Sequence, residues 1–243
     1  MLEYYWIFLG LILVCSIFAG GVQLRLRRTY LATKEIPTQS GMTGRDTAVQ
    51  LLRAEKITDV TVGKVNGVMT DHYHPTTAVV NLSTGVYGDN SVAAVAIAAH
   101  EIGHVTQKKQ GTALYKLRSF IVPIVNIGSR LALPLVLIGL LLDGFVFATQ
   151  KSDIGFYIAL IGVVGYGLST LFALITLPVE YDASRRAKKM LLREKIINAE
   201  ESPYVEQMLS AAAMTYVASL LSSFVYFLRF LTWVLILFGR RRD

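Results

Sequence analysis

Four long apolar blocks divide the chain and leave two polar segments between them. The blocks cover residues 4–22, 120–147, 154–177 and 211–238. A helix needs roughly 20 apolar residues to cross the hydrocarbon core of a bilayer, and each block is about that long. The pattern therefore predicts a mainly α integral membrane protein with about four membrane segments.

Charged residues inside two of the blocks leave the limits of those segments open. The second block contains Arg130 and Asp143, so its span begins near residue 121 or near residue 131. The last block contains Arg229, and it is either one long tilted span or an amphipathic helix that leads into a short span. Because an arginine that faces lipid is costly, Arg130 and Arg229 are expected to turn inward or to extend toward the interface.

The first block is interpreted as an uncleaved anchor. A secretory signal peptide carries basic residues before its apolar run, whereas the only early charge here is Glu3. The basic cluster Arg25, Arg27 and Arg28 follows the run instead. This order predicts an anchor whose N-terminus lies outside.

The distribution of Lys and Arg predicts on which side of the membrane the polar segments lie. Residues 24–118 hold twelve of these residues and residues 179–210 hold six, whereas the connection at 143–153 holds only Lys151. Cytoplasmic loops carry the excess of positive charge, so both polar segments are predicted in the cytoplasm and 143–153 as an external hairpin. The closing arginines at 240–242 disagree with four full crossings, and the side of the C-terminus stays open.

Composition narrows the class of protein. Hydrophobic residues make up 53% of the chain and charged residues only 17%, against about 25% charged in soluble domains. The single cysteine, Cys15, cannot form an intrachain disulfide, which excludes a disulfide scaffold. An anionic inner leaflet accounts for the net charge of +7, so the predicted partner is the lipid bilayer and not a nucleic acid.

The first polar segment has the pattern of a small α+β core. Its polar capping residues and short β-branched runs predict a helix followed by two strands. In chain order, the predicted elements are a helix at 47–55 capped by Thr43 or Asp46, a strand at 60–62, a turn at Asn66-Gly67 that either closes a hairpin or is a simple turn, and a strand at 78–82.

A second helix in this segment is predicted over Val92–Lys109. Asn90 or Ser91 can cap its start, and Gly111 ends it. Five alanines precede the middle of this helix, and such small residues allow other elements to pack closely around it.

This helix contains the motif His100-Glu101-Ile102-Gly103-His104. Positions i and i+4 lie on one face of an α-helix, so His100 and His104 can bind one metal ion. Glu101, one residue along, is poorly placed as a third ligand but can act as the general base on a metal-activated water. The alternative interpretation is an ordinary helix with two surface or core histidines.

The third ligand has two candidates. A catalytic zinc usually has three protein ligands and one open position, and Glu180 and Asp182 follow directly on the third apolar block. Pro178 is predicted to occupy the first turn of a new helix, where acidic residues also stabilise the N-terminus through the helix dipole. From these residues alone, Glu180 and Asp182 can be either metal ligands or acids that only stabilise the start of a helix.

Three strings in the sequence carry a resemblance to known families: HEIGH at 100–104, LPVEYDASRRA at 177–187 and DHYHP at 71–75. Together they resemble the bacterial YugP-type family of membrane proteases, also called neutral zinc metallopeptidase family 2. The likeness runs along nearly the whole chain. The order of HExxH helix, transmembrane hairpin and glutamate-bearing helix is also similar to the membrane metallopeptidases of the HtpX and CAAX-prenyl kinds.

The resemblance implies a small zincin-like catalytic part that holds one catalytic Zn2+ ion and acts through Glu101 as general base. Its implied metal ligands are His100, His104 and Glu180. One position departs from the pattern: better-known gluzincins have an aspartate four residues after the ligand glutamate, where this chain has Ser184. Asp182 is therefore either the acid that supports an imidazole or an alternative third ligand.

Further residues are candidates for contacts with substrate or oxyanion. Tyr181 and Arg185 can supply a donor for the oxyanion. His72 and His74 are expected in a loop, because Asp and Pro flank them, with a structural use or a contact with the cleft. The strand at 78–82 is expected at the edge of the cleft, where it would pair with an extended substrate, or in the core.

The sequence thus predicts a multi-pass zinc endopeptidase of the plasma (inner) membrane with its active site facing the cytoplasm. Peptides or membrane proteins are the expected substrates, and no oligomeric state is predicted. The predicted parts are an anchor at 1–23, a cytoplasmic catalytic segment at 24–118, a transmembrane hairpin at 119–178, a cytoplasmic helix with the third ligand at 179–210, and a C-terminal membrane or amphipathic segment at 211–243.

The alternative is a non-enzymatic membrane protein with a structural or sensory metal site. A closed structural site needs four protein ligands, and His72 or His74 would complete the set. A transporter that uses Arg130 and Arg229 is disfavoured, because inverted repeats are lacking and acidic residues are few in the apolar blocks.

Overall fold

The computed structural model describes residues 2–142 and 153–239, which are mostly helical with a small three-stranded sheet. In chain order the elements are α1 (Leu2–Lys34), α2 (Gly44–Ala54), β1 (Thr61–Val65), β2 (His72–His74), β3 (Val79–Ser83), α3 (Thr84–Tyr87), α4 (Val92–Lys109), α5 (Ala113–Leu141), α6 (Ile154–Arg193) and α7 (Ser202–Gly239).

Among the described residues, four helices are long and apolar enough to cross a membrane: α1, α5, α6 and α7. The prediction of about four membrane segments is thereby confirmed at the level of length and composition. α5 continues through Arg130, so both proposed starts of the second span lie within one helix. α7 continues through Arg229, whose guanidinium lies 4.4 Å from the centre of the Trp233 ring. Residues 143–152 of the predicted external hairpin lie outside the described residues.

The prediction that a new helix begins at Pro178 is wrong. α6 runs without interruption from the third apolar block through Pro178 to Arg193. A proline inside a helix removes one backbone hydrogen bond, and here the flanking turns continue in spite of that loss. Glu180 therefore lies in the middle of a long helix, and the explanation of its charge through a helix N-terminus no longer applies.

The chain forms two compact units, of which the apolar unit comprises Met1–Gly20, Leu117–Thr176 and Tyr216–Asp243. Glycines let α5 and α6 approach closely inside it. A Cβ added at Gly162 would lie 2.6 Å from the carbonyl oxygen of Ala132, and one at Gly165 would lie 2.8 Å from that of Gly128. Small residues at helix contacts are typical of membrane helices, which pack by close backbone approach.

The polar unit comprises Gly21–Lys116 and Leu177–Thr215 and contains a hydrophobic core of its own. Its first internal helix, α2, begins at Gly44 and not at residue 47, because Thr43 and Asp46 form a capping box at its start. Leu51 and Leu52 on this helix are buried in the core.

The sheet has the strand order β1-β3-β2. β1 pairs with β3 in parallel, so the hairpin predicted at Asn66-Gly67 is wrong. The antiparallel pair is β2 with β3, and β2 includes His72 and His74, which were expected in a loop. β3 has a partner on both sides, so the strand predicted at 78–82 is central in this sheet and β2 is an edge strand.

The α4 helix covers Val92–Lys109, as its capping residues predict. The Ser91 side chain accepts a hydrogen bond from the Ala94 N–H, and Gly111 adopts a φ of 65° just beyond the helix. This left-handed conformation favours glycine and ends the helix. α4 is packed against α2, α3 and the sheet, so nearly all of its residues are buried.

Candidate metal centre

Two histidines of α4 and one glutamate of α6 meet inside the polar unit. The Nε2 atoms of His100 and His104 lie 3.1 Å and 3.4 Å from the same oxygen, Oε2 of Glu180. One ligand atom from each of the three residues lies within 4.8 Å of the other two. The side chain of Glu180 is only 1% exposed, whereas those of His100 and His104 are 16% and 10% exposed, so the histidines are the members of the group that solvent reaches.

Gly103 explains how the two helices come close enough for this meeting. A Cβ at Gly103 would lie 2.6 Å from the carbonyl oxygen of Ala183, which is shorter than any real contact of that kind. Gly103 precedes His104 directly, and Ala183 lies one helical turn after Glu180. The absence of a side chain at this one position therefore lets the ligand candidates face each other.

Zinc fits the donor atoms of this group. Donors around a tetrahedral zinc at about 2.0–2.1 Å stand about 3.3 Å apart. The two distances to Glu180, 3.1 Å and 3.4 Å, bracket that value. Two imidazoles and one carboxylate are also a donor set that catalytic zinc sites use, with a fourth position left open.

Glu101 lies beside the group and is held by a backbone donor. Its Oε2 accepts a hydrogen bond of 2.8 Å from the N–H of Tyr73, in the edge strand β2. Burial is the main cause that raises the pKa of Glu101 to about 7. His100 acts against this shift, while the neighbouring carboxylates of Glu180 and Asp71 add to it. A divalent cation would neutralise the negative charge of these neighbouring buried carboxylates.

Each histidine also has a partner on its other ring nitrogen. Nδ1 of His100 lies 3.2 Å from the hydroxyl of Ser184, and Nδ1 of His104 lies 3.0 Å from Oε1 of Gln107. Such partners orient an imidazole toward a metal and influence its tautomer. Ser184 thus contacts the first histidine from the position at which the better-known gluzincins have an aspartate.

Asp182 is linked to His104 through Gln107. Its Oδ2 accepts a hydrogen bond of 2.9 Å from Nε2 of Gln107. Arg185 and Arg186 also contact the carboxylate of Asp182, at 2.7 Å and 2.6 Å. Among the described residues, the group with metal-binding geometry includes Glu180 and not Asp182.

A comparison with known proteins agrees with this geometry. Residues 5–235 match a family model described as "Putative neutral zinc metallopeptidase". The chain belongs to this family. The resemblance drawn from HEIGH, LPVEYDASRRA and DHYHP is thereby confirmed.

The chain is also similar to a protein from Bacillus subtilis (strain 168) that is described as "Putative membrane protease YugP". The two proteins are 38% identical over 208 residues, which cover 86% of this chain and 88% of the relative. No solved structure matches the chain.

The remaining site candidates lie at the surface. Tyr181 is 47% exposed, and Arg185 is engaged with Asp182 on its own helix. The His72 imidazole contacts the carbonyl of Thr70 and the side chain of Asn81. His74 contacts Thr77, so the structure does not bring either of these histidines into the three-residue metal group.

Sequence reasoning missed the importance of Gln107. It follows His104 by three residues, a spacing that places both side chains on one face of a helix and that could have indicated the contact. Its second contact, with the carbonyl of Val179, joins residues 72 positions apart in the chain. No local pattern reveals such a pairing.

Proposed function

We propose that this protein is a membrane-embedded zinc endopeptidase in which His100, His104 and Glu180 hold the metal. One observation carries the proposal: the donor atoms of these three residues converge at one place, beside the buried carboxylate of Glu101. The family to which the chain belongs supports zinc and peptide hydrolysis as the chemistry.

In this mechanism Glu101 is the general base. Zinc, when bound, supplies Lewis-acid polarisation for hydrolysis of a peptide carbonyl. The N–H of Tyr73 holds one oxygen of Glu101, and this leaves the other oxygen to take a proton from the attacking water and to deliver it to the leaving amine. In the metal-free site, burial raises the pKa of this carboxyl to about 7, and burial favours the protonated form from which Glu101 delivers its proton to the leaving amine.

Membrane proteins or their loops are the proposed substrates, and the proposed location of the site is the cytoplasmic side of the plasma membrane. Glu180 follows the last residue of the third apolar block by only three positions in one continuous helix. The distribution of Lys and Arg supports the cytoplasmic side through the positive-inside rule. The relative described as a membrane protease supports the class of activity.

The test compares wild type with Glu101→Gln and with the control Glu206→Gln, an exposed glutamate that pairs with Lys188. Each protein is produced in the same host, and new N-termini in the membrane fraction are identified by mass spectrometry. Wild type and the control should generate the same new N-termini. Glu101→Gln should lower their yield by about 10²–10⁴-fold, because a general base contributes about that much.

Metal analysis of the same three preparations separates the proposal from its alternative. All three should contain one zinc per chain, since Glu101 is not a proposed ligand. Cleavage by Glu101→Gln at the wild-type rate would refute the mechanism. Zinc bound by a wild-type protein that generates no new N-termini would favour the structural or sensory metal site.

A further inference from the structure

Gln107 is a buried polar side chain next to the metal group, and both ends of its amide form hydrogen bonds. It lies on α4, one turn after His104, and only 1% of it is exposed. Its Oε1 lies 3.0 Å from Nδ1 of His104. Its Nε2 donates to the carbonyl of Val179 at 2.8 Å and to Oδ2 of Asp182 at 2.9 Å. Both ends of the amide therefore have partners.

These partners determine which way the amide points. The Val179 carbonyl and the Asp182 carboxylate can only accept hydrogen bonds, so the NH₂ group of Gln107 must face them. A flipped amide would place its oxygen against two other oxygens. The oxygen of Gln107 is consequently directed at His104, where it can only accept a hydrogen bond.

The orientation of the amide in turn determines the tautomer of His104. Because the Gln107 oxygen needs a donor, Nδ1 of His104 carries the proton. Nε2 then has a free lone pair, and it is the nitrogen that lies 3.4 Å from Oε2 of Glu180. This is the form of imidazole that binds a metal through Nε2.

Two arginines hold Asp182 in place. Arg186 donates to its Oδ2 at 2.6 Å and also to Oε1 of Gln110 at 2.5 Å, and Arg185 donates to Oδ1 at 2.7 Å. The carboxylate is thus charged and oriented by the same stretch of α6 that carries Glu180. The chain of contacts runs from the arginines through Asp182 and Gln107 to His104.

His100 lacks such a chain. Its Nδ1 faces the hydroxyl of Ser184 at 3.2 Å, and a hydroxyl can rotate to donate or to accept. Ser184 therefore tolerates either tautomer of His100. The hydrogen-bond partners therefore fix the tautomer of His104 but not that of His100.

We infer that Gln107 is a positioning residue that fixes the metal-binding tautomer of His104 before metal binds, and that Asp182 orients the Gln107 amide. The tautomer of His100, in contrast, is fixed only when metal binds. The inference rests on the proposed zinc site. It adds that the Nδ1 atoms of the two histidines have unequal hydrogen-bond partners. The partner that fixes a tautomer is the neutral amide of Gln107 and not a carboxylate.

The first test measures zinc affinity by competition with a chelator. Gln107→Met keeps nearly the same volume but removes the amide, and the matched control Thr106→Val removes the neighbouring buried hydroxyl, which bonds only to Gly103 of its own helix. Loss of an outer partner of this kind typically costs about 10–100-fold in metal affinity. We expect that loss for Gln107→Met and less than about threefold for Thr106→Val. Equal affinities of Gln107→Met and wild type would overturn the inference.

A second measurement uses the wild-type protein and does not depend on Gln107→Met. In the cobalt(II)-substituted form, the N–H protons of metal-bound imidazoles give strongly shifted proton resonances that exchange with solvent. We expect one slowly exchanging N–H resonance from His104 and one faster resonance from His100. Ser184→Ala should alter only the faster one. Two resonances that exchange at the same rate would overturn the inference, even if Gln107→Met fails to fold.

These readouts distinguish the two hypotheses, because neither depends on peptide cleavage. If Glu101→Gln cleaves like wild type while Gln107→Met loses zinc, the proposed mechanism fails and the positioning role of Gln107 stands. If cleavage depends on Glu101 but Gln107→Met binds zinc like wild type, only the positioning role fails.

Discussion

At the scale of single residues, the proposed chemistry of the site depends on one buried carboxyl group. Glu101 is almost inaccessible to solvent, and its only backbone partner among the described contacts is the N–H of Tyr73. Burial favours the neutral acid, so the pKa of Glu101 rises to about 7 from its ordinary value of 4.5. Without metal, this group opposes folding whenever it is ionised.

The stability of the metal-free protein should therefore depend on pH through Glu101. Its folded-state pKa lies above its unfolded-state value, so the stability that its protonated form contributes is full below pH 4.5 and is lost as the pH rises through about 7. Glutamine does not ionise, so the Glu101→Gln variant does not lose this stability as the pH rises. Relative to wild type, the variant should gain about 3 kcal/mol in unfolding free energy between pH 4.5 and pH 8.

Thermal unfolding of chelator-treated protein in detergent at several pH values measures this difference. Glu206→Gln, at an exposed ion pair, should follow wild type within about 0.5 kcal/mol at every pH. Parallel pH profiles for wild type and Glu101→Gln would contradict the assignment of a raised pKa to this group.

At the scale of elements, the site is a contact between two helices. α4 presents both histidines on one face, and α6 presents Glu180 and Ser184 one turn apart. Gly103 is the point where the helices touch most closely, at the backbone of Ala183. The distance between the imidazoles and the carboxylate is therefore set by the packing of backbone on backbone.

Substituting Gly103 should weaken both folding and metal binding. Gly103→Ala adds a methyl group against a carbonyl oxygen that cannot move aside cheaply, and overpacking of this kind costs about 1–3 kcal/mol in stability. The helices can relieve the clash only by separating, which moves Glu180 away from the histidines. We expect zinc affinity to fall at least about tenfold, as measured by chelator competition.

Gly88→Ala is the matched control for this prediction, because a Cβ at Gly88 would have no heavy atom within 4 Å and its φ of −107° suits any residue. That variant should bind zinc and unfold like wild type. A Gly103→Ala protein with wild-type zinc affinity would show that the close helix contact does not position the ligands.

Elements with local start and stop residues could be predicted closely, and the others could not. Ser91 and Gly111 delimit α4 because a cap and a left-handed glycine act within one turn of the helix. The order of the three strands depends on contacts between distant residues, so the predicted hairpin at Asn66-Gly67 was wrong. Local rules predict a helix start at Pro178, because they do not register that the third apolar block continues into the same helix.

At the scale of the whole molecule, the proposed orientation places the polar unit on the cytoplasmic side of the membrane. The chain contains one cysteine, so a Cys15→Ser background allows single reporter cysteines to be introduced. In intact spheroplasts, a membrane-impermeant maleimide should label Ser152→Cys, in the predicted external hairpin. It should label Glu200→Cys, an exposed residue of the polar unit, only after permeabilisation.

This contrast follows from the excess of Lys and Arg in the two polar segments. Zinc content of each cysteine variant serves as the check that the protein is folded. Labelling of Glu200→Cys in intact spheroplasts would reverse the proposed orientation and would direct the search for substrates to the external side.

By itself, the sequence determined the four apolar helices, the histidine pair of α4 and membership of a zinc metallopeptidase family. These features depend on composition, on helical periodicity and on spacing, all of which act over a few residues. Only the tertiary structure decided between Glu180 and Asp182 as the neighbour of the histidines, and only it revealed Gln107 between Asp182 and His104. Those choices depend on how α6 is rotated against α4, and backbone contact at Gly103 sets that rotation across some 80 intervening residues.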